Sequence, residues 1–171
     1  MKLLIASDIH GSARWCRALM KAVEDEAPGK VVLLGDLLYH GPRNPLPDEY
    51  DPKAVAGMLN GIAEHIAAVR GNCDSEVDQM MLAFPCLGDY AMIFDEGRTL
   101  FATHGHVFGP DNVPRLASGS VVLSGHTHVK TNEVRDGILF ANPGSVSLPK
   151  DGSRSYGVFE SGAFRTVVLD G

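Results

Sequence analysis

Disulfide chemistry, membrane spans and an excess of positive charge are all missing from this chain of 171 residues. Its three cysteines, Cys16, Cys73 and Cys86, are odd in number and widely spaced. That excludes a disulfide framework and a paired-cysteine zinc site, and fits a reducing compartment. Fifteen lysines and arginines against twenty-one acids leave a net charge of −6. Broad electrostatic attraction to nucleic acid or anionic lipid is therefore excluded, and a phosphate-bearing ligand would have to be recognised by a local site. No apolar run approaches the roughly 18 residues of a membrane helix. The opening residues 1–8 run into a carboxylate after a few apolar positions, unlike a signal peptide. These absences predict a cytoplasmic protein with no membrane partner and no nucleic-acid scaffold role. With 44% hydrophobic and 21% charged residues the composition is ordinary for a globular chain. The length suits a single domain over residues 1–171.

What the chain does have is short apolar runs alternating with helical patterns. Residues 2–7, 31–34, 66–70, 100–103 and 121–124 read as strands buried on both faces. Between the first two runs, Trp15, Leu19, Ala22 and Val23 recur at helical spacing. Between the second and third, Asp51-Pro52 is a cap followed by a first-turn proline, and Val55, Leu59, Ile62 and Ile66 mark one apolar stripe. Strands alternating with helices imply right-handed crossovers and a mostly parallel sheet. From about residue 86 the segments are strand-like, with hairpin signals at Glu96-Gly97, Asp136-Gly137 and Ser161-Gly162. The pattern predicts an α/β fold, a two-sheet mixed β-sandwich flanked by helices, with a three-layer doubly wound fold as the alternative.

The residues that follow the strands carry the chemistry. The first run leads into Asp8-Ile9-His10-Gly11, the second into Gly35-Asp36 and the third into Gly71-Asn72. The fourth leads into His104-Gly105-His106 and the fifth into Gly125-His126-Thr127-His128. Parallel strands would bring these ends to one sheet edge, where open α/β sheets bind ligands. Two aspartates, one asparagine and up to five histidines would meet there. Residues two apart on extended backbone share a side, so Asp8 and His10 can reach one ion, as can His126 and His128. Oxygen and imidazole donors without thiolate point to manganese, iron, zinc or a similar ion. Each piece alone has a plainer reading: Asp8 as a helix cap, Gly35-Asp36 and Gly71-Asn72 as turns, a histidine pair as packing. Five strand ends in series, each with a suitable donor, outweigh those readings together.

The series Asp8-x-His10, Gly35-Asp36, Gly71-Asn72, His104 and Gly125-His126-x-His128 resembles the calcineurin-like metallophosphoesterase superfamily. The stretches Gly41-Pro42-Arg43-Asn44, Arg70-Gly71-Asn72-Cys73-Asp74 and Asn142-Pro143-Gly144-Ser145 resemble its small bacterial and archaeal phosphodiesterases, and the match spans nearly the whole chain. The resemblance implies that Asp8, His10, Asp36 and His128 hold one metal, with Asp36 bridging to a second held also by Asn72, His104 and His126. The implied cofactors are two divalent ions, Mn2+ first and Zn2+, Fe2+ or Ni2+ as alternatives. The implied reaction is hydrolysis of a small phosphodiester substrate, with a hydroxide bridging the ions attacking phosphorus in line. A homo-oligomer is a further expectation from similar proteins.

Departures from the family pattern refine these expectations. Many relatives carry histidine after the asparagine of the Gly-Asn motif, where it serves the leaving group; here that residue is Cys73, a weaker hydrogen-bond donor. His106 is the candidate to take over as general acid, or else to orient His104. Protein phosphatases of the superfamily show Asp-Arg-Gly where this chain has Tyr39-His40-Gly41, which disfavours that activity. Arg43 is either a phosphate contact or a solvated loop residue, His40 and His65 read as loop and helix-end residues, and Asn142-Pro143-Gly144-Ser145 reads as a rigid turn buttressing the site. The alternatives are a phosphomonoesterase or nucleotide pyrophosphatase on the same metal pair, and a non-enzymatic interaction scaffold, against which the complete ligand set counts.

Overall fold

The computed structural model describes residues 1–170. In chain order the elements are β1 (Leu3–Ala6), α1 (Ala13–Glu26), β2 (Lys30–Leu33), α2 (Pro52–Asn60), a 3-10 turn (Ala63–His65), β3 (Ile66–Ala68) and α3 (Glu76–Met81). There follow β4 (Tyr90–Asp95), β5 (Arg98–Thr103), β6 (Val121–Leu123), β7 (Thr131–Arg135), β8 (Ile138–Asn142), β9 (Ser155–Glu160) and β10 (Ala163–Val168). Two five-stranded mixed sheets result, in the orders β10-β9-β1-β2-β3 and β4-β5-β6-β8-β7. Strands β1, β2 and β3 run parallel, as do β5, β6 and β8, and the remaining strands pair antiparallel beside them.

Side-chain alternation divides the core in two. Leu4, Ala6, Val31 and Leu33 face Cys16 and Leu19 of α1 and Val55 and Leu59 of α2. Their neighbours Leu3, Ile5, Val32 and Leu34 face Leu100, Ala102, Val121 and Leu123 of the other sheet. Burial on both faces is the reason these strands read as continuous apolar runs, and each buried leucine or isoleucine contributes roughly 1.5–3 kcal/mol. Helices cover only the outer face of the first sheet. The middle of the outer face of the second is covered by a loop instead, with Phe108, Val113 and Leu116 packed on Phe101, Val122 and Phe140. Among the described residues no helix is long and apolar enough to cross a membrane.

The three hairpin signals fall where expected, joining β4 to β5, β7 to β8 and β9 to β10. Both turn residues have positive φ in each: 47° and 79° at Glu96-Gly97, 51° and 76° at Asp136-Gly137, 52° and 80° at Ser161-Gly162. That is the turn whose twist matches the flanking strands. Two expectations need correction. The stripe through Val55 and Leu59 does not continue as helix to Ile62 and Ile66, because α2 ends at Asn60 and Ile66 is drawn into β3 by pairing with Val31. The third strand is also shorter than the run 66–70: Arg70 leaves the sheet to donate its N–H to Gly88 O, 2.7 Å away.

Candidate metal centre

Five of the six parallel strands deliver the predicted donors to one edge of the sandwich: β1 to Asp8, β2 to Asp36, β3 to Asn72, β5 to His104 and β6 to His126. The backbone there is strained. Asp8, His10, Asp36, His126 and His128 have φ of 59°, 48°, 54°, 67° and 60°, each costing roughly 1–2 kcal/mol in a residue with a Cβ. Ladder-like bonds hold the first two loops: Asp8 N to Gly35 O at 3.1 Å, His10 N to Asp36 O at 2.9 Å and Gly11 N to Leu37 O at 3.0 Å.

The histidine tautomers follow from what each ring touches. Nδ1 of His10 lies 2.9 Å from Tyr39 O, that of His104 2.6 Å from Leu34 O and that of His128 2.6 Å from Leu148 O. A carbonyl oxygen only accepts, so each Nδ1 carries the proton and each Nε2 of a neutral ring presents a lone pair. Those lone pairs face other acceptors. His10 Nε2 and His128 Nε2 are 3.3 Å apart, and Asp8 Oδ1 lies 3.6 Å and 3.2 Å from them. His104 Nε2 faces Asn72 Oδ1 at 3.1 Å and His126 Nδ1 at 3.2 Å. Asp36 Oδ2 stands between the two groups, 3.7 Å from His10 Nε2 and 3.5 Å from His104 Nε2.

Asp8 Oδ1 is buried and has no hydrogen-bond partner among the described residues, while Oδ2 accepts from His126 N at 3.1 Å. Burial opposes ionisation of Asp8, and only positive charge among its neighbours, on a protonated imidazole or a metal ion, holds the carboxyl well below the usual range. A buried anion and converging bare nitrogens repel one another unless a cation lies among them. Separations of 3.1–3.7 Å are the edges expected of a coordination shell with bonds of about 2.1 Å. Donor chemistry and spacing therefore fit divalent metal ions. The carbonyls of Tyr39, Leu34 and Leu148 fix these three rings in the way that outer partners orient metal-ligating histidines. Leu34 O thus fixes the proton of His104 on Nδ1.

Cys73 lines the cavity beside these donors; its N–H donates to Asp36 Oδ1 at 2.8 Å. Burial, with Asp36 adding its charge, pushes its thiol up to about 12, so it stays protonated at neutral pH. His106 packs edge-on against His104, with ring centroids 5.3 Å apart, and its Nδ1 is buried without a partner among the described residues. Burial, reinforced by His104, lowers its pKa. The cavity over the donors has a volume of about 690 Å3 and is walled in part by Tyr39, Arg43, Thr127 and Lys150. His40 is turned away, edge-on between Tyr39 and Tyr50, and His65 lies beside Glu64.

Three supports were not legible as such in the sequence. Asp74 accepts from Asp36 N at 2.8 Å, Leu37 N at 2.9 Å and Gly71 N at 2.7 Å, tying the Asp36 loop to the Asn72 loop. Burial pushes its carboxyl up to about 6 against the pull of these donors. The Asn142–Ser145 turn is the expected buttress, but Ser147 extends it: Ser145 Oγ and Ser147 Oγ donate to Asp8 O at 2.9 Å and 3.1 Å, and Asn142 Nδ2 to Gly125 O at 2.8 Å. Lys150 enters through its N–H, which donates to His128 O at 3.0 Å. Replacing Asp74 by asparagine sets an amide N–H against backbone N–H groups. That variant is expected to lose about 2–3 kcal/mol of stability in denaturant titration, with hydrolysis roughly tenfold slower.

Fold and donor set together define a metallophosphoesterase. The chain belongs to the calcineurin-like phosphoesterase superfamily, whose domain model matches residues 1–162. Within that family it is 46% identical over 171 residues to the phosphodiesterase YfcE of Escherichia coli strain K12, a match covering 99% of this chain and 93% of that protein. The structure of the E. coli phosphoesterase YfcE superposes with a TM-score of 0.93 at 43% identity, covering 99% of this chain and all of the other. The probable metallophosphoesterase YsnB of Bacillus subtilis strain 168 is 29% identical over 157 residues, covering 88% of this chain and 78% of that protein.

Proposed function

We propose that this chain hydrolyses small phosphodiesters with the help of two divalent ions. The observation that carries this reading is the position of Asp36 Oδ2 between two groups of unprotonated donors. Asp8, His10 and His128 with Asp36 would hold one ion, and Asn72, His104 and His126 with the same carboxylate the other. Bound there, divalent ions polarise phosphoryl oxygens and make a water acidic enough to serve as nucleophile near neutral pH. Oxygen and imidazole donors suit Mn2+, with Zn2+, Fe2+ or Ni2+ as alternatives. The chain's own residues supply the rest. Backbone carbonyls fix the imidazoles, Asp8 and Asp36 balance charge, and the cavity has room for both arms of a diester. Cys73, which lines the cavity, is the proton-bearing side chain assigned to face the leaving group, and His106 packs behind His104.

The test is a metal-reconstituted screen of a diester, a monoester and a pyrophosphate side by side, with metal content measured. Two equivalents of Mn2+ and preferred hydrolysis of the diester are expected. Chelation should abolish turnover and, because bound ions offset the strained ligand backbone, lower the melting temperature. At a thousandfold excess over Kd each ion adds about 4 kcal/mol, or roughly 8–16 °C for a chain of this size. Full activity after chelation would overturn the reading, and preference for the monoester or pyrophosphate would replace it with that activity.

A further inference from the structure

Eight of the fifteen lysines and arginines pair with carboxylates. Arg43 and Lys150 do not, among the described residues, yet both are exposed and line the cavity over the metal donors. Their nearest acids in sequence are engaged elsewhere. Asp151 accepts from Lys130 Nζ at 2.6 Å and Lys130 N at 2.7 Å. Asp48 accepts from Trp15 Nε1, and Glu49 pairs with Arg17. Among the described residues Asp36 is the one carboxylate in the cavity wall, and it stands among the metal donors.

Both cations sit on segments hooked to metal-site histidines. The turn that bears Arg43 is closed by Asn44 N to Gly41 O at 3.3 Å and Asn44 Nδ2 to His40 O at 2.8 Å. It begins one residue after Tyr39, whose carbonyl orients His10. Lys150 is hooked through its own N–H to His128 O, and Leu148 two residues earlier orients the His128 ring. The lone negative charge of a diester phosphate is already answered at the metal site. Two further cations without counter-charge call for more negative charge on the same ligand.

We propose that Arg43 and Lys150 bind a second anionic group of the substrate, so that the preferred phosphodiesters carry a carboxylate or a further phosphate on one ester arm. This rests on the phosphodiesterase reading and deepens it to a substrate class.

The test uses p-nitrophenyl diesters that share a leaving group and differ in the other arm: ethyl, 2-carboxyethyl or 2-phosphoethyl. Each comparison is a ratio within one enzyme preparation, so partial loss of folded protein cancels. With the Mn2+-loaded protein at low salt, kcat/KM for the anionic arms should exceed that for ethyl by roughly tenfold, chiefly through KM, and the advantage should shrink as salt is raised. The variant R43A/K150A should bring the ratio close to one, and the charge-preserving R43K/K150R should keep it. The relative size of the carboxyethyl and phosphoethyl effects identifies which anion is recognised. An ethyl arm that performs as well as the anionic arms in the unaltered protein overturns the proposal, as does a preference that survives in R43A/K150A. If no diester is hydrolysed, the phosphodiesterase reading itself fails and takes this inference with it.

Discussion

An Asp36→Asn variant will hydrolyse phosphodiesters roughly a thousandfold more slowly, a loss of about 4 kcal/mol of transition-state stabilisation, while its metal-free form stays folded. Asp36 Oδ1 is committed to Cys73 N at 2.8 Å, so the amide nitrogen of an asparagine would occupy the Oδ2 position. There it meets the bare Nε2 atoms of His10 and His104, at 3.7 Å and 3.5 Å in the parent, and can donate to them. The substitution thus suits the protein without metal and opposes metal binding twice, by removing a charge and by turning an acceptor into a donor. Metal content, melting curves and turnover measured together check this. A variant that kept its full metal complement and activity within tenfold of the parent would remove Asp36 from the centre of the site.

Gly71→Ala should damage stability and site together, although alanine is the smallest change available. A Cβ on Gly71 would overlap the backbone nitrogen and Oδ1 of Asp36 and lie 2.8 Å from its Cγ. Neither segment can yield cheaply, because Asp74 Oδ2 holds Gly71 N and Asp36 N at 2.7 Å and 2.8 Å. Overpacking of this kind costs about 2–3 kcal/mol, a fall of roughly 5–10 °C in melting temperature. Displacing the Asp36 carboxylate relative to Asn72 should slow hydrolysis by about a hundredfold or more. Thermal denaturation and kinetics of the variant are the measurements, and parental values in both would mean the loops separate without cost.

How much of this was legible depended on whether a residue's role is local. Apolar runs marked the strands because β1 and β2 are buried on both faces, and a donor stood within two residues of the end of each run. Glycine after an acid or serine marked the hairpins because both turn positions need positive φ. The end of α2 was misjudged, since Ile62 and Ile66 join the same apolar cluster as the helix stripe although Ile66 is already strand. Nor did local pattern show that the final hairpin returns to lie beside β1, or that a loop and not a helix packs on the middle of the second sheet. Asp74, Ser147 and Lys150 escaped for a related reason: each acts on backbone groups of another segment, as when Ser147 Oγ reaches Asp8 O across 139 positions.

By itself the amino-acid order determined the inventory: which strands exist, which side chains stand at their ends, and that oxygen and imidazole, without a paired thiolate, are the donors on offer. Only the tertiary structure decided which nitrogen of each ring faces the others, because the carbonyls that take the Nδ1 protons of His10, His104 and His128 come from Tyr39, Leu34 and Leu148 in other segments. It likewise decided that Arg43 and Lys150, 107 positions apart, share one cavity. Proton positions and uncompensated charge depend on distances of about three ångströms between separate parts of the chain, and those distances exist only once the two sheets have packed.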